Sequence, residues 1–434
     1  MRESFDVAIV GGGPAGISAA CVLAEKGVRT IVFERGEYAG AKNMFGGVLY
    51  GHDLARIIPD FAERKCPVER NIVESRIWYL SREAGFNLAY RDQAFFDQLR
   101  NNVFTVGRAK FDRWFADQAR ARGALVVCST VVTDLMKDDA GKVCGVVADR
   151  PQGELKARVV ILADGINSPL AGKTGFRPEP RPEHVALAVK ELIDLPEETI
   201  NARFQVEADH GVTTEILGET TRGMNGVAFL YTNRSSISLG IGANLAALSQ
   251  RRVRPYELLE EFKKHPMVAP LIQDGKPREY LAHWLAEGGY DTMPHLCGDG
   301  YVIAGDSAMM FNALHREGSN LAMASGQMAA MAVYDALNKG DVTRKGLEGY
   351  RDLLKDSYVL KDLKKYRRFP SFLDSHDELF STLPRLKCMA AREMLTVNGV
   401  TKKEKQGRIW KKIRKEMSLK SLFRLVWDGW RSVR

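Results

Sequence analysis

Apolar and polar positions follow three different periods along this chain, and the order of those periods lays out its elements. Residues 5–10 (FDVAIV) are a nearly continuous apolar run, the pattern of a strand buried on both faces. A glycine-rich break, a helical stretch and a second apolar run at 30–33 follow, so the chain opens with a β-α-β unit extending to about Arg35. Residues 72–90 read as strand and leave this unit. The chain returns through a helix over 110–122, with Phe111, Trp114, Phe115 and Ala119 on one face, into residues 124–132 and a hairpin pairing 131–135 with 143–148. A third apolar run, 157–163, reads as another buried parallel strand. From 183 to about 248 the period becomes two, as at 184–192 and 235–242, which predicts an antiparallel sheet with one wetter face. A helix over 256–265, a buried strand at 301–304 and a long helix over 319–337 complete the body. In that last helix Met323, Met328 and Met331 read as packing.

The breaks between these elements carry the chemistry. Gly11-x-Gly13-x-x-Gly16 stands between the first strand and its helix, and Glu34 ends the second strand. Gly11 allows the tight turn, Gly13 lets the backbone approach a pyrophosphate, and Gly16 lets the helix pack on the strand. Pro14 and Ala15 open the helix, whose unpaired N–H groups and positive dipole end favour phosphate, while Glu34 stands where it can accept from ribose hydroxyls. Gly36–Tyr50 follows, a segment with Gly40, Gly46 and Gly47 in which backbone is expected close to a ligand.

Two more breaks repeat the theme. The run 157–163 ends in Asp164-Gly165-x-Asn167-Ser168, and the strand at 301–304 ends in Gly305-Asp306-Ser307, just ahead of the helix that starts at Gly318. Open α/β sheets bind ligands at such strand ends. A nicotinamide dehydrogenase needs neither extra motif. A large flavin dinucleotide extended across the sheet needs both, together with a helix end at its ring.

Together the three motifs resemble the glutathione-reductase-type FAD family, in the branch holding aromatic hydroxylases, geranylgeranyl reductases and electron-transfer-flavoprotein:quinone oxidoreductases. The resemblance implies an α/β fold: a glutathione-reductase-type FAD-binding fold with an inserted antiparallel β-sheet substrate or quinone domain and a helical C-terminal region. It places Gly11, Gly13, Pro14, Ala15, Gly16, Glu34 and Arg35 at the ADP half of FAD, with Arg108 near the adenosine and Val132 among the contacts. Asp164, Gly165, Gly305 and Asp306 fall along the ribityl and pyrophosphate side. Gly318, Ser319 and Asn320 fall at the flavin edge, where a helix N-terminus stabilises the charge of the reduced ring.

Finer motifs select within the branch. Where the hydroxylases carry an arginine serving NAD(P)H, this chain has Leu170, and Gly240-x-Gly242 lacks the third glycine of a second dinucleotide site. The segments Ala41-Lys42-Asn43-Met44-Phe45-Gly46-Gly47 and Leu314-His315-Arg316-Glu317-Gly318-Ser319-Asn320 are similar to the FixC-type (EtfC) subunit of Fix/Etf electron-bifurcating complexes. That resemblance adds Lys42, Asn43, Gly46 and Gly47 to the cofactor contacts and leaves the catalytic list empty, since flavin and quinone carry the electrons. It implies electron-transfer flavoprotein α and β subunits and a small ferredoxin-like iron–sulfur subunit as partners, menaquinone or ubiquinone as membrane quinone, and NADH oxidation by the complex as a whole. A geranylgeranyl-reductase-like hydrogenase of prenyl lipids, or a flavin-containing assembly subunit without turnover, are the alternatives.

Composition narrows the picture. Cys21, Cys66, Cys128, Cys144, Cys297 and Cys388 are scattered, and no His-x-x-x-His pair occurs, so neither an iron–sulfur cluster nor a structural zinc site is expected. No apolar run reaches the roughly 18 residues of a membrane span, and strand begins at Phe5, which argues for a cytoplasmic protein without a signal peptide. The net charge of +9 is localised: residues 401–434 hold 12 of the 63 Lys/Arg but only 3 of the 54 Asp/Glu. A basic stripe on the folded body, as nucleic acid would require, is thus absent. Between Gly407 and Arg434, Ile409, Ile413, Met417, Leu422, Phe423, Val426, Trp427 and Trp430 recur near helical spacing. A basic amphipathic helix is predicted, meeting an anionic membrane surface at the inner face of the cell membrane or a partner subunit. The expected domains are an FAD-binding domain (1–75, 101–178, 291–345), a β-sheet domain (76–100, 179–290) and a helical C-terminal region (346–434).

Overall fold

The computed structural model describes residues 5–42, 47–92, 94 and 102–434. The chain divides into two compact units, Met1–Val68 with Leu99–His184 and Trp284–Arg367, and Glu69–Gln98 with Val185–His283 and Arg368–Arg434.

In the first unit the apolar runs become the strands Phe5–Val10, Thr30–Phe33, Glu154–Leu162 and Tyr301–Ile303. Thr30–Phe33 and Glu154–Leu162 flank the first strand, Tyr301–Ile303 lies beyond Glu154–Leu162, and every one of these pairs is parallel. Leu125–Val127 extends the sheet at one side and Cys297–Gly298 at the other. Val7, Ala8, Ile9, Val160, Ile161 and Val302 are fully buried, so both faces of the sheet are covered and the sequence shows no alternation there. The predicted hairpin is Val132–Lys137 with Val143–Ala148, and it pairs with the outer end of Glu154–Leu162. The helices Pro14–Glu25 and Ser319–Lys339 pack closely, a Cβ built on Gly326 falling 2.0 Å from the Ala15 carbonyl oxygen. Gly349–Asp356 and Tyr358–Lys365 set Tyr350, Leu354, Val359 and Leu363 into the same core. Residues 346–367 therefore join this unit, and the C-terminal region is not a separate body.

The second unit is built on a sheet in the order Lys276–Ala286, Val185–Asp194, Ser236–Asn244, Gly226–Thr232, His210–Gly218, Val68–Leu80. Its central pairs are antiparallel as expected, but His210–Gly218 runs parallel to Val68–Leu80, a strand from far earlier in the chain. The wetter face predicted for this sheet is not present at its centre, since every residue of Ser236–Asn244 is buried. Small residues there reflect close packing: a Cβ at Gly240 would lie 2.3 Å from the Phe229 ring and one at Gly242 would lie 2.9 Å from the Ala188 Cβ.

The same unit holds the helices Phe369–Asp374, Thr382–Leu395, Lys402–Glu416 and Leu419–Val433. The single amphipathic helix predicted for the tail is thus two helices. Each begins at a hydroxyl cap, Thr401 accepting from the Glu404 N–H and Ser418 from the Ser421 N–H. Ile413, Met417 and Leu422 do not belong to an outward stripe; they pack with Leu386, Leu425, Phe372 and Leu383, and Ile409 is buried as well.

Candidate functional site

Register brings the separated motifs together. Val10 is paired with both Leu162 and Phe33, and Leu162 with Ile303, so strand ends from three distant parts of the sequence lie side by side. The ladder continues one residue further: Gly11 N–H donates to Phe33 O at 2.8 Å, Ala163 N–H to Val10 O at 2.8 Å, and Ala304 N–H to Leu162 O at 2.9 Å. Gly11, Glu34, Asp164 and Gly305 all follow directly from this row. It is the edge of a parallel sheet at which ligands bind.

The first motif makes a cradle only glycine fits. Gly11 has φ +107°, and a Cβ there would sit 2.2 Å from the Ala163 carbonyl oxygen, while one on Gly16 would sit 2.0 Å from the Gly11 carbonyl oxygen. Gly13 is the extended N-cap of Pro14–Glu25, with Pro14 in the first turn and no side chain capping the helix. The N–H groups of Ala15 and Gly16 thus keep the orientation a phosphate needs. Glu34 is buried, its Oε2 accepting the Gly12 N–H at 2.9 Å and its Oε1 the Gly36 N–H at 2.6 Å. That fixes the carboxylate and leaves a second lone pair on each oxygen for ribose hydroxyls.

Nearby positions fall into place around it. Ser129 N–H donates to Gly36 O and Thr130 N–H to Glu34 O, so the chain entering the strand at Val132 runs beside the acid. Arg108 opens the helix Arg108–Ala121 and makes a two-pronged ion pair with Asp112, at 2.8 and 2.6 Å. Arg35 and Lys42 are exposed, and Gly47, at φ +118°, accepts the Val106 N–H. Asn43 and Gly46 lie outside the described residues.

The second and third motifs are tied to each other. Asp164 Oδ1 accepts the hydroxyls of Ser168 at 2.7 Å and Ser307 at 3.1 Å, and the Gly165 N–H donates to Ser307 Oγ at 2.9 Å. Among the described residues Asp164 Oδ2 is buried without a partner. Gly305, at φ +65°, donates its N–H to Ser325 Oγ. Behind both loops stands Arg177, a residue the sequence reading missed. It is buried and donates to Ser307 O at 3.1 Å, Ile166 O at 2.7 Å and Asn167 O at 3.3 Å. Burial pushes the Asp306 carboxyl up to about 6, with Arg108 and Arg177 pulling the other way. Arg177→Met is expected to leave the two loops unbridged and to remove a cation that acts on both Asp164 and Asp306, with Arg108 still facing Asp306. The flavin-free protein should lose about 3–5 kcal/mol in urea unfolding, and a loss below about 1 kcal/mol would show that the bridge is dispensable.

At the far end Ser319–Lys339 begins at Gly318 with no capping side chain and no acid in its first turn. Ser319 Oγ donates to Val48 O at 3.3 Å, and Asn320 is buried with its Oδ1 unpartnered among the described residues. Just before it, Glu317 accepts from Asn312 Nδ2 at 3.2 Å, and burial raises its carboxyl, opposed by His315 and the Asn312 and Asn320 amides. The uncapped helix end, the glycine cradle and the orphaned polar atoms fit a flavin dinucleotide lying along the sheet edge. Among the described residues no group of His, Cys, Asp and Glu is placed to hold a metal.

Fold and site define an FAD-dependent oxidoreductase of the glutathione-reductase type, and the comparisons agree. Residues 6–166 match the family described as FAD dependent oxidoreductase, and residues 369–434 match the ETF-QO/FixC family C-terminal domain. The chain is 44% identical to Protein FixC of Azorhizobium caulinodans over 100% of its own length and 99% of the relative's. It is 43% identical to that of Azotobacter vinelandii over the full length of both, and 41% identical to that of Escherichia coli K12 over 92% of each. The chain belongs to the FixC family. Among solved structures, a geranylgeranyl bacteriochlorophyll reductase-like protein from Thermoplasma acidophilum superposes with a TM-score of 0.73 at 20% identity, covering 96% of this chain and 100% of that one. The halogenase PltM, solved with FAD, gives 0.64 at 15% identity over 90% and 81%. These likenesses establish the fold.

Proposed function

We propose that this flavin electron-transfer oxidoreductase takes electrons that reach it through an electron-transfer flavoprotein of α and β subunits and delivers them to menaquinone or ubiquinone in the membrane. It would do so within a complex that oxidises NADH, reduces ferredoxin or flavodoxin as well as quinone, and includes a small ferredoxin-like iron–sulfur subunit. The observation that carries this reading is the match of residues 369–434 to the C-terminal domain shared by ETF-QO and FixC proteins.

Bound FAD supplies the redox chemistry, accepting and releasing electrons singly or in pairs. The chain's own part is binding and tuning. The cradle at Gly11 and Gly16 with Glu34 would fix the dinucleotide end, Asp306 would stand at the ribityl side, and the N–H groups at Ser319–Leu321 would favour negative charge at the ring. Two local features support indirect delivery of electrons from NADH. Leu170 stands where the hydroxylases use arginine for the nicotinamide nucleotide, and Gly240 and Gly242 are spent inside a buried strand.

The test is to mix the purified chain, FAD bound, with NADH and follow bleaching of the flavin absorbance. Bleaching should be slow alone, fast once the flavoprotein chains are added, and reversed by quinone. Rapid bleaching without those chains, coupled to hydrogenation of a prenyl chain, would replace this reading by a prenyl reductase.

A further inference from the structure

We infer that the outward face of the last helix, Leu419–Val433, lies in the headgroup layer of an anionic lipid leaflet and holds the chain on its membrane. This rests on the quinone reading above and adds the surface that meets lipid. The helix has two opposed sides. Leu422 and Leu425 belong to the apolar cluster with Leu386 and Met417, Gly429 backs onto the Phe372 ring, and Ser432 is buried. Asp428 meets Nε2 of the buried His376 at 3.3 Å, while Nδ1 of that ring meets Glu378 at 2.8 Å. This side is fastened to the unit.

The other side is apolar and open. Leu419, Phe423, Val426, Trp427 and Trp430 are 63%, 70%, 64%, 48% and 47% exposed, and steps of three and four keep them on one face. The Phe423 and Trp427 rings stack at 6.3 Å, and Trp427 and Trp430 lie 5.4 Å apart, so the aromatic surface is continuous. Lys420, Arg424 and Arg431, spaced by four and seven, run along its flank, and all three are exposed.

The chemistry selects lipid over a protein partner. Exposed aromatics beside a row of Lys and Arg are what the interface of an anionic bilayer holds. The entire net charge of +9 resides in residues 401–434, so attraction to an anionic surface is strongest at this end of the chain. None of the described helices is long and apolar enough to cross a membrane, which leaves a helix lying in the plane of the interface.

Sedimentation of the full, FAD-loaded chain with vesicles tests this. The chain should pellet with phosphatidylglycerol–phosphatidylcholine vesicles and stay in solution with phosphatidylcholine alone. The double variant Phe423→Ser/Trp427→Ser should bind anionic vesicles roughly a hundredfold more weakly. Lys420→Glu/Arg431→Glu should also weaken binding and remove most of its salt dependence. Both variants should keep flavin content and melting temperature, because the altered side chains point outward. Both should reduce a water-soluble quinone analogue normally and vesicle-dissolved quinone slowly. Equal pelleting of wild type and variants, or no pelleting with anionic vesicles, overturns the inference. Unchanged vesicle binding with loss of co-purifying flavoprotein chains also overturns it and makes the face a protein dock. Failure of the quinone reading shows separately, as no turnover with either quinone whatever the vesicles do.

Discussion

Gly326→Val is expected to yield a protein that purifies without flavin and is destabilised by about 3 kcal/mol or more. Gly326 lies well inside Ser319–Lys339, far in sequence from the glycine cradle, yet its Cβ would stand 2.0 Å from the Ala15 carbonyl oxygen and 2.8 Å from the carbonyl carbon. Both are backbone atoms and have no rotamer through which to yield. The helices would have to separate, and each carries one end of the site: the N–H groups beside Gly13 and those beside Gly318. With FAD held as proposed, a shift of an ångström there would misplace pyrophosphate and ring together. The flavin-to-protein absorbance ratio and the urea midpoint measure the effect. Gly172→Ala serves as the control, since a Cβ there meets nothing within 4 Å; it should keep its flavin and change stability by less than about 1 kcal/mol. Normal flavin content in Gly326→Val would mean the two helices are free to slide.

Asp306→Asn is expected to act in opposite directions on cofactor and fold. In the flavin-free chain the Asp306 carboxyl titrates at about 6 against an ordinary 3.8, because burial outweighs the pull of Arg108 and Arg177. The folded state therefore holds a proton that the unfolded chain releases between those pH values, and stability falls as pH rises through the window. A displacement of about two units corresponds to roughly 3 kcal/mol, present below pH 4 and lost above pH 6. Asparagine cannot ionise. The variant should gain about that much over wild type between pH 4 and pH 8 when both are unfolded without flavin, and bind FAD about ten- to a hundredfold more weakly for want of a charged acceptor. Parallel stability–pH curves for the two proteins would show that Asp306 is not the titrating group.

The three motif loops were legible because the constraint on each is local. A positive φ at Gly11 and Gly305, or a carboxylate directly after a strand, is written in one or two residues whatever else the chain does. Arg177 was not legible, since it is a lone arginine nine residues past the second motif, and its task exists only where the loops of Asp164 and Ser307 meet. The strand Ser236–Asn244 alternates small polar and apolar residues, which reads as one wet face, yet the small side is filled by Phe229 and Ala188. In the tail a steady count of apolar residues hid a change of phase. Ser418, a helix-capping residue followed by a fresh amphipathic period, was the available signal that a second helix begins with its own inside and outside.

The row of strand ends Val10, Phe33, Leu162 and Ile303 has a bearing on how the protein is made. A ribosome delivers the first two almost at once, the third after about a third of the chain, and the fourth only after two thirds, and the helix from Ser319 emerges later still. The pyrophosphate cradle is therefore synthesised long before the floor and far wall that would retain a flavin. With FAD held along this row, its capture would be a late event in biogenesis, and its binding would then add to the packing that closes the long excursions between these strands.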